Sequence, residues 1–282
     1  LYALFILLGF IFYIKYLRAK DFIAYLLLLA SYILALLSKE ISLIFPVLLL
    51  LYHYSFRKKL KIQEYAPIVC VAFIYILLRI GVLRHSIVPI SNETTFIQRV
   101  PGFFAAITDY VKLLIIPQNL HMEYGKGLFS FTHPKVIAGI VILLLLSGYA
   151  LKKRNSNRII SFSIAWFFVT LAPVSNLYPI NAYMAEHWLY LASMGFFLIL
   201  AKFLSCLYDK KRLKIFTLLT MLVLVSSYSL LTVKQNSYWI DPLHFYNRTL
   251  QYAPQSERAY FNLGRLYSES NNFEEAIKSY MK

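Results

Sequence analysis

The chain alternates between long apolar runs and short basic clusters. Stretches such as 136–150 and 216–228 are almost wholly apolar, and groups of lysine and arginine separate them from their neighbours. A helix rises about 1.5 Å per residue, so a run of roughly 15 to 20 residues approaches the hydrocarbon thickness of a bilayer. Backbone groups in lipid must satisfy one another, which makes each such run a helix. The pattern predicts about eight spans, at residues 1–14, 21–38, 41–56, 65–83, 134–151, 159–178, 188–207 and 215–233. Four basic clusters lie between them: Lys15/Arg18/Lys20, Arg57/Lys58/Lys59/Lys61, Lys152/Lys153/Arg154/Arg158 and Lys210/Lys211/Arg212/Lys214. Positively charged loops stay in the cytoplasm, so these four are placed inside. Lys39 and Glu40, the stretch 84–133, residues 179–187 and everything after Lys234 then fall outside.

Residues 99–117 test that scheme. They are fairly apolar, yet they carry Arg99, Thr108, Asp109 and Lys112. A ninth crossing here would turn the 152–158 cluster outward. The segment is therefore read as a helix that lies at the outer interface or re-enters, stopped by Pro117. A connection as long as 84–133 is functional or disordered in most proteins, and its aromatics and helical stretch predict order.

Beyond Lys234 the pattern changes. Residues 239–254 read as a helix with an apolar face at Leu243, Tyr246 and Leu250, opened by Asp241 as N-cap and Pro242 at the first helical position. Then come Leu263-Gly264 and Tyr267, with Phe273, Ala276 and Tyr280 further on, which is the tetratricopeptide spacing. Small residues at Gly264 and Ala276 let two helices approach, and Asn271-Asn272 makes the turn. One repeat cannot cover its own face, so more repeats are expected to follow. The fold expected is all-α: a polytopic transmembrane helix bundle at 1–233, then the start of a repeat solenoid at 234–282.

Composition agrees. Apolar residues make up 59% of 282 and charged residues 15%, against roughly half and a quarter in soluble domains. The net charge of +16 would suggest nucleic acid in a soluble protein; here it sits in the loops between apolar runs and reads as topology, with no nucleic-acid partner. Cys70 and Cys206 lie far apart inside apolar runs, which implies neither a disulfide nor a metal framework. The sequence opens at Leu1 inside an apolar run and stops at Lys282 within a repeat, so a fragment of a longer protein is expected.

Ionisable groups beside a membrane are candidate functional groups. On the outer side these are Lys39, Glu40, Arg84, Arg99, Asp109, His121, Glu123, Glu186 and His187. Lys39-Glu40 could meet a phosphate or hydroxyl; alternatively Ser38 caps the next helix and Glu40 suits its positive end. Glu186-His187 opens a span ahead of Trp188 and Tyr190, which could serve as interfacial anchors. His121 with Glu123 supplies only two ligands, too few for a metal site. No phosphate-binding glycine loop, nucleophile elbow or zinc-protease motif occurs. Asn92-Glu93-Thr94 and Asn247-Arg248-Thr249 fit the glycosylation triplet.

A family resemblance follows from these residues. Trp166-Phe167, then Leu171-Ala172-Pro173-Val174-Ser175-Asn176-Leu177, then Ala185-Glu186-His187-Trp188-Leu189-Tyr190-Leu191-Ala192-Ser193-Met194-Gly195-Phe196, resemble the signature of the transmembrane-and-tetratricopeptide-repeat O-mannosyltransferases and their bacterial relatives. Ser38-Lys39-Glu40 is similar to that family's short motif between two earlier spans, 113–124 to its outer-loop helix, and Trp239-x-Asp241 to its join with the repeats. The resemblance implies a GT-C membrane glycosyltransferase with a polyprenyl-phosphate-linked sugar as donor and no separate cofactor. It implies transfer on the non-cytoplasmic face and repeats that present a protein acceptor. The family's acidic catalytic residue would lie upstream of Leu1, so this stretch alone is expected to be inactive. Lys39, Glu40, Glu186, His187 and Tyr190 form the candidate substrate-binding set, with Glu186 and Lys39 as donor-phosphate or site-shaping residues. His187 stands where many eukaryotic members have arginine, and Ala192 where proline is usual. Both departures imply a prokaryotic branch, with a bacterial inner membrane as location and periplasmic repeats.

Two other readings compete. One is a non-catalytic membrane anchor that displays repeats for protein recruitment. The other is a transporter, which predicts broken, internally repeated helices with charges at mid-membrane. The charges here sit at span ends.

Overall fold

The computed structural model describes residues 1–83, 94–125, 127–180 and 182–282. Among them the elements are helices α1 (Tyr2–Ala19), α2 (Phe22–Ser38), α3 (Phe45–Phe56), α4 (Ile62–Leu83), α5 (Phe96–Ile115), α6 (Pro134–Lys153), α7 (Arg158–Leu171), α8 (Leu189–Tyr208), α9 (Lys214–Ser237), α10 (Pro242–Tyr252), α11 (Glu257–Glu269) and α12 (Phe273–Tyr280), with short 3-10 turns between some of them. The fold is all-α, as the patterning predicts. Arg84 and Asn92-Glu93 of the first glycosylation triplet lie outside the described residues.

Each of the eight predicted spans contains a helix, but among the described residues five helices (α1, α4, α6, α8 and α9) are long and apolar enough to cross a membrane. The other three are apolar yet shorter: 17 residues in α2, 12 in α3 and 14 in α7. Local chemistry explains the shortening. α2 stops where Lys39 adopts extended backbone, and residues Glu40–Ile44 form a 3-10 turn before Pro46 restarts the α-helix. α7 tightens into a 3-10 turn at Ala172–Val174, and Asn176 then takes a left-handed conformation (φ 57°). The expected span at 159–178 thus ends before Asn176.

The chain forms two compact units. The first comprises Leu1–Glu93, Leu143–Val174 and Leu189–Ile199. Its core is aromatic and aliphatic: Ile6, Tyr13, Leu28, Tyr32, Phe45, Leu48, Leu49 and Ile68 are fully enclosed. Between helices in lipid the driving force is close packing more than expulsion of water, and small residues supply the approach. A methyl group on Gly9 would lie 3.1 Å from the Phe45 ring, and one on Gly195 would lie 2.3 Å from the Ser163 carbonyl oxygen. Trp166 sits edge-on to Phe10 with ring centroids 5.5 Å apart, and its indole N–H donates to the Leu191 carbonyl at 2.9 Å. Tyr13 and His53 share a buried hydrogen bond of 2.5 Å.

Two basic clusters meet in this unit. Arg57 donates to Asn155, Arg158 donates to the Phe56 carbonyl at 3.3 Å, and the Arg154 guanidinium lies over the Tyr54 ring. The 57–61 and 152–158 clusters therefore share one end of the helices, as a common side of the membrane requires.

The second unit comprises Thr94–Ile142, Ser175–Trp188 and Leu200–Lys282. Thr95 and Gln98 form a reciprocal capping box at the start of α5. The helix ends at Ile115, two residues before Pro117, because a residue preceding proline disfavours the α conformation. Its buried face runs through Gly102, Ala106, Tyr110 and Leu114 at four-residue spacing. α6 packs directly on the α5 backbone: a methyl on Gly139 would meet the Phe104 carbonyl oxygen at 1.9 Å.

The C-terminal helices follow their capping signals. Asp241 accepts from the backbone N–H of Leu243 and His244, Ser256 from Ala259, and Asn272 from Glu275. Asn271 makes the turn in a left-handed conformation (φ 60°). Gly264 lets the Tyr280 ring lie against α11, since a methyl there would fall 2.6 Å from it. The second glycosylation triplet lies inside α10, where Thr249 is buried and its hydroxyl donates to the Phe245 carbonyl at 3.0 Å.

Candidate functional site

A polar arrangement in the second unit is built on the segment that joins α7 to α8. Asn176 starts it: the side-chain oxygen accepts from Ile180 N–H at 2.9 Å, which fixes the turn. Further along, Tyr183, Met184 and Ala185 are buried. Tyr110 of α5 accepts from Ala185 N–H at 3.1 Å and its hydroxyl faces the Ala185 carbonyl at 3.4 Å. Tyr183 bonds twice: its N–H donates to Gly125 at 3.2 Å and its hydroxyl to Asp109 at 3.0 Å. Lys135 closes on the same carboxylate at 3.0 Å. Gly127 (φ 56°) has to be glycine on two grounds, a left-handed backbone and the Tyr183 ring 2.3 Å from where a methyl would stand.

These contacts deliver Glu186 to the 119–124 loop. One oxygen of its carboxylate accepts from the His121 backbone N–H and from the Tyr124 hydroxyl, both at 2.6 Å. Distances this short are those of charge-assisted bonds. Burial, and then the Glu186 carboxylate, raise the Tyr124 hydroxyl well above the ordinary tyrosine range, so it stays a proton donor. Tyr183 is raised in the same way by burial and by Asp109.

The loop also receives the first tail helices. The His121 ring stacks on Tyr252 with centroids 5.0 Å apart and lies 4.0 Å from Tyr124. Arg248 donates to the Leu120 carbonyl at 3.3 Å, and its guanidinium lies 3.9 Å from the centre of the Tyr238 ring. Tyr252 donates to the Asn119 side chain at 3.2 Å, and Ser256, the cap of α11, donates to Glu123. Glu186, His121, Tyr124, Arg248 and Glu123 thus form one cluster of carboxylates, a cation and aromatic faces. Such a surface can accept hydrogen bonds from hydroxyl groups and offset an anion. No group of three or more metal-ligating side chains occurs among the described residues.

The remaining sequence candidates fall as follows. His187 is exposed beside the Trp188 ring, and Tyr190 is exposed on the first turn of α8. Lys39 and Glu40 belong to the first unit, where the Lys39 ammonium lies 5.6 Å from the centre of the Tyr2 ring and Glu40 meets Arg79 at 3.5 Å. Ser38 does not cap the following turn; its hydroxyl donates back to the Leu34 carbonyl at 2.7 Å, as serine does in the last turn of a helix. Tyr124 and Arg248 are the neighbours of Glu186 that residue patterns did not single out. In the first unit, Arg79, the partner of Glu40, falls inside the predicted span 65–83. Arg248 looked like the middle of a glycosylation triplet.

A tetratricopeptide-repeat family model matches residues 257–282. The Caenorhabditis elegans protein O-mannosyl-transferase F38B6.6 is 26% identical over 235 residues, which is 74% of this chain and 32% of the relative. The relatives are O-mannosyl-transferases. Mouse protein O-mannosyl-transferase TMTC3 is 23% identical over 179 residues, covering 60% of this chain and 20% of its own. Drosophila melanogaster protein O-mannosyl-transferase Tmtc2 is 30% identical over 123 residues, covering 42% and 13%. The chain spans about a third or less of the length of these O-mannosyl-transferases. Each matched stretch is longer than the whole repeat region, so the likeness takes in membrane helices as well. No solved structure gives a significant match. With five helices able to cross a bilayer and these relatives, the chain is a membrane protein.

Proposed function

We propose that this chain is the membrane and first-repeat portion of a glycosyltransferase that takes sugar from a polyprenyl-phosphate donor on the non-cytoplasmic face. Residues 1–233 form the membrane domain and 234–282 begin the repeat domain, which offers a protein acceptor to the membrane face. The observation that carries this reading is the similarity to O-mannosyl-transferases along most of the chain. The Glu186 cluster supports it. An inverting transfer needs a base for the acceptor proton and cationic groups for the departing phosphate. Arg248 is a cation in that cluster. Glu186 is held by two donors, which suits a site-shaping role and leaves the base to another residue. Lys39, Glu40, His187 and Tyr190 remain substrate-binding candidates. His187 and Ala192 favour a prokaryotic branch, with the protein in a bacterial inner membrane and the repeats in the periplasm.

The test is transfer of radiolabelled sugar by purified full-length protein from a polyprenyl-phosphate sugar to protein acceptors. Glu186→Ala and Lys39→Ala should each lower turnover at least tenfold, a change of about 1.4 kcal/mol in barrier. Unchanged turnover in both would remove them from the site. A second reading, a non-catalytic scaffold, draws on the same cluster, because Tyr252, Arg248 and Ser256 anchor the tail helices to the loop. Absence of any transfer, with acceptor proteins still captured by the repeats, would favour it.

A further inference from the structure

The first unit holds a cavity of about 300 Å³ at one end of its helices, and none of the substrate-binding candidates lines it. Five cations and one carboxylate line it: Arg18 and Lys20 at the end of α1, Lys58, Lys59 and Lys61 between α3 and α4, and Glu64 in the first turn of α4. Glu64 is already committed, to Lys20 at 2.7 Å and Lys61 at 3.7 Å. Among the described residues no carboxylate lies within ion-pair distance of Arg18, Lys58 or Lys59. Like charges gathered in one mouth repel, and an anion between them lowers that energy. The backbone is set for this: Lys20 (φ 53°) and Arg57 (φ 52°) end α1 and α3 in left-handed caps, which turn both basic segments back over the helix ends.

The rest of the lining is apolar: Ile14 and Leu17, further into α1 than Arg18 and Lys20, and Tyr52 of α3. α1 and α4 are both long and apolar enough to cross a bilayer, so their paired ends lie at head-group depth. A basic recess that is apolar on its membrane side matches a molecule with a phosphate head and hydrocarbon tails. A soluble phosphate compound has no use for the apolar wall.

We infer that this recess is a binding site for the phosphate head group of an anionic glycerophospholipid, whose acyl chains lie along Ile14 and Leu17. It does not depend on which face of the membrane carries the sugar chemistry.

The test uses the full-length protein in a non-ionic detergent, titrated with fluorescent phosphatidylglycerol. Lys58→Gln/Lys59→Gln should raise the Kd roughly thirtyfold, at about five- to sixfold per cation near the head group. The charge-keeping Lys58→Arg/Lys59→Arg variant should stay within about twofold of the parent, as should Lys152→Gln/Lys153→Gln, which removes equal charge from the neighbouring cluster. Equal loss in the two glutamine variants would reduce the effect to diffuse attraction and overturn the site. Equal affinity for fluorescent phosphatidylcholine would also overturn it. Full displacement of the lipid by millimolar inorganic phosphate would assign the cations to a soluble anion instead, and the lipid site would fall.

Discussion

The two units are held together by different physics. In the first, Trp166, Phe10, Phe162 and Tyr52 pack ring against ring, and Gly9 and Gly195 set how near the backbones come. In the second, the 175–188 segment has few neighbours of that kind and is located by named polar bonds: Tyr110 to Ala185, Tyr183 to Asp109, and Tyr124 and His121 to Glu186. Packing tolerates exchange of one apolar shape for another, whereas a buried hydrogen-bond lattice fixes one arrangement and loses it when one partner goes. The difference teaches where a membrane protein can vary and where a site needs a given residue.

Substitutions can break that comparison. The largest effect should come from Trp166→Ala, which opens a cavity in the first unit and removes the indole bond to the Leu191 carbonyl; thermal unfolding in detergent should show a loss of about 3 kcal/mol or more. Gly127→Ala follows. It forces a side chain into a left-handed backbone and onto the Tyr183 ring, at about 2 to 3 kcal/mol, and hydrogen exchange should rise across 119–127 and 182–186. Tyr124→Phe removes one donor to Glu186 and should cost about 1.5 to 3 kcal/mol in the same exchange measurement.

Tyr124 also gives a pH test. Its pKa is raised in the folded protein, so its contribution is complete at neutral pH and fades as pH climbs past about 10. Alkaline loosening of the 119–127 loop should be blunted in Tyr124→Phe. The smallest effect should be Ser256→Ala, about 1 kcal/mol, seen as faster proteolysis at the start of α11. If Tyr124→Phe proved more damaging than Trp166→Ala, the ranking of the two units would reverse.

The helices were legible in the sequence because their signals are local. Apolar run length marks the spans, Pro117 marks the end of α5, and Asp241-Pro242 announces α10. Even the turn at Asn271 could be read from two adjacent asparagines. The limits of that reading were local too: α2, α3 and α7 fell short of crossing length because 3-10 turns took their ends, and hydropathy does not register a change of helix type. The site was legible only in part. Glu186 was singled out, but its partners His121 and Tyr124 lie more than sixty residues away. Arg248 lies 128 residues from the carbonyl it meets. No spacing rule reaches that far. Glu40 stands out by its charge beside Lys39, while its partner Arg79, 39 residues on, falls inside the predicted span 65–83.

The threonine enclosed in α10 bears on how the protein is made. An enzyme that attaches glycans to Asn-x-Thr triplets works on accessible, surface-loop chain. Once α10 has closed, Asn247 is still exposed but Thr249 is sealed beneath its own helix turn. In a host equipped for such attachment, a glycan on Asn247 would be a timestamp: it would mark molecules whose tail reached the far compartment before the helix wound shut.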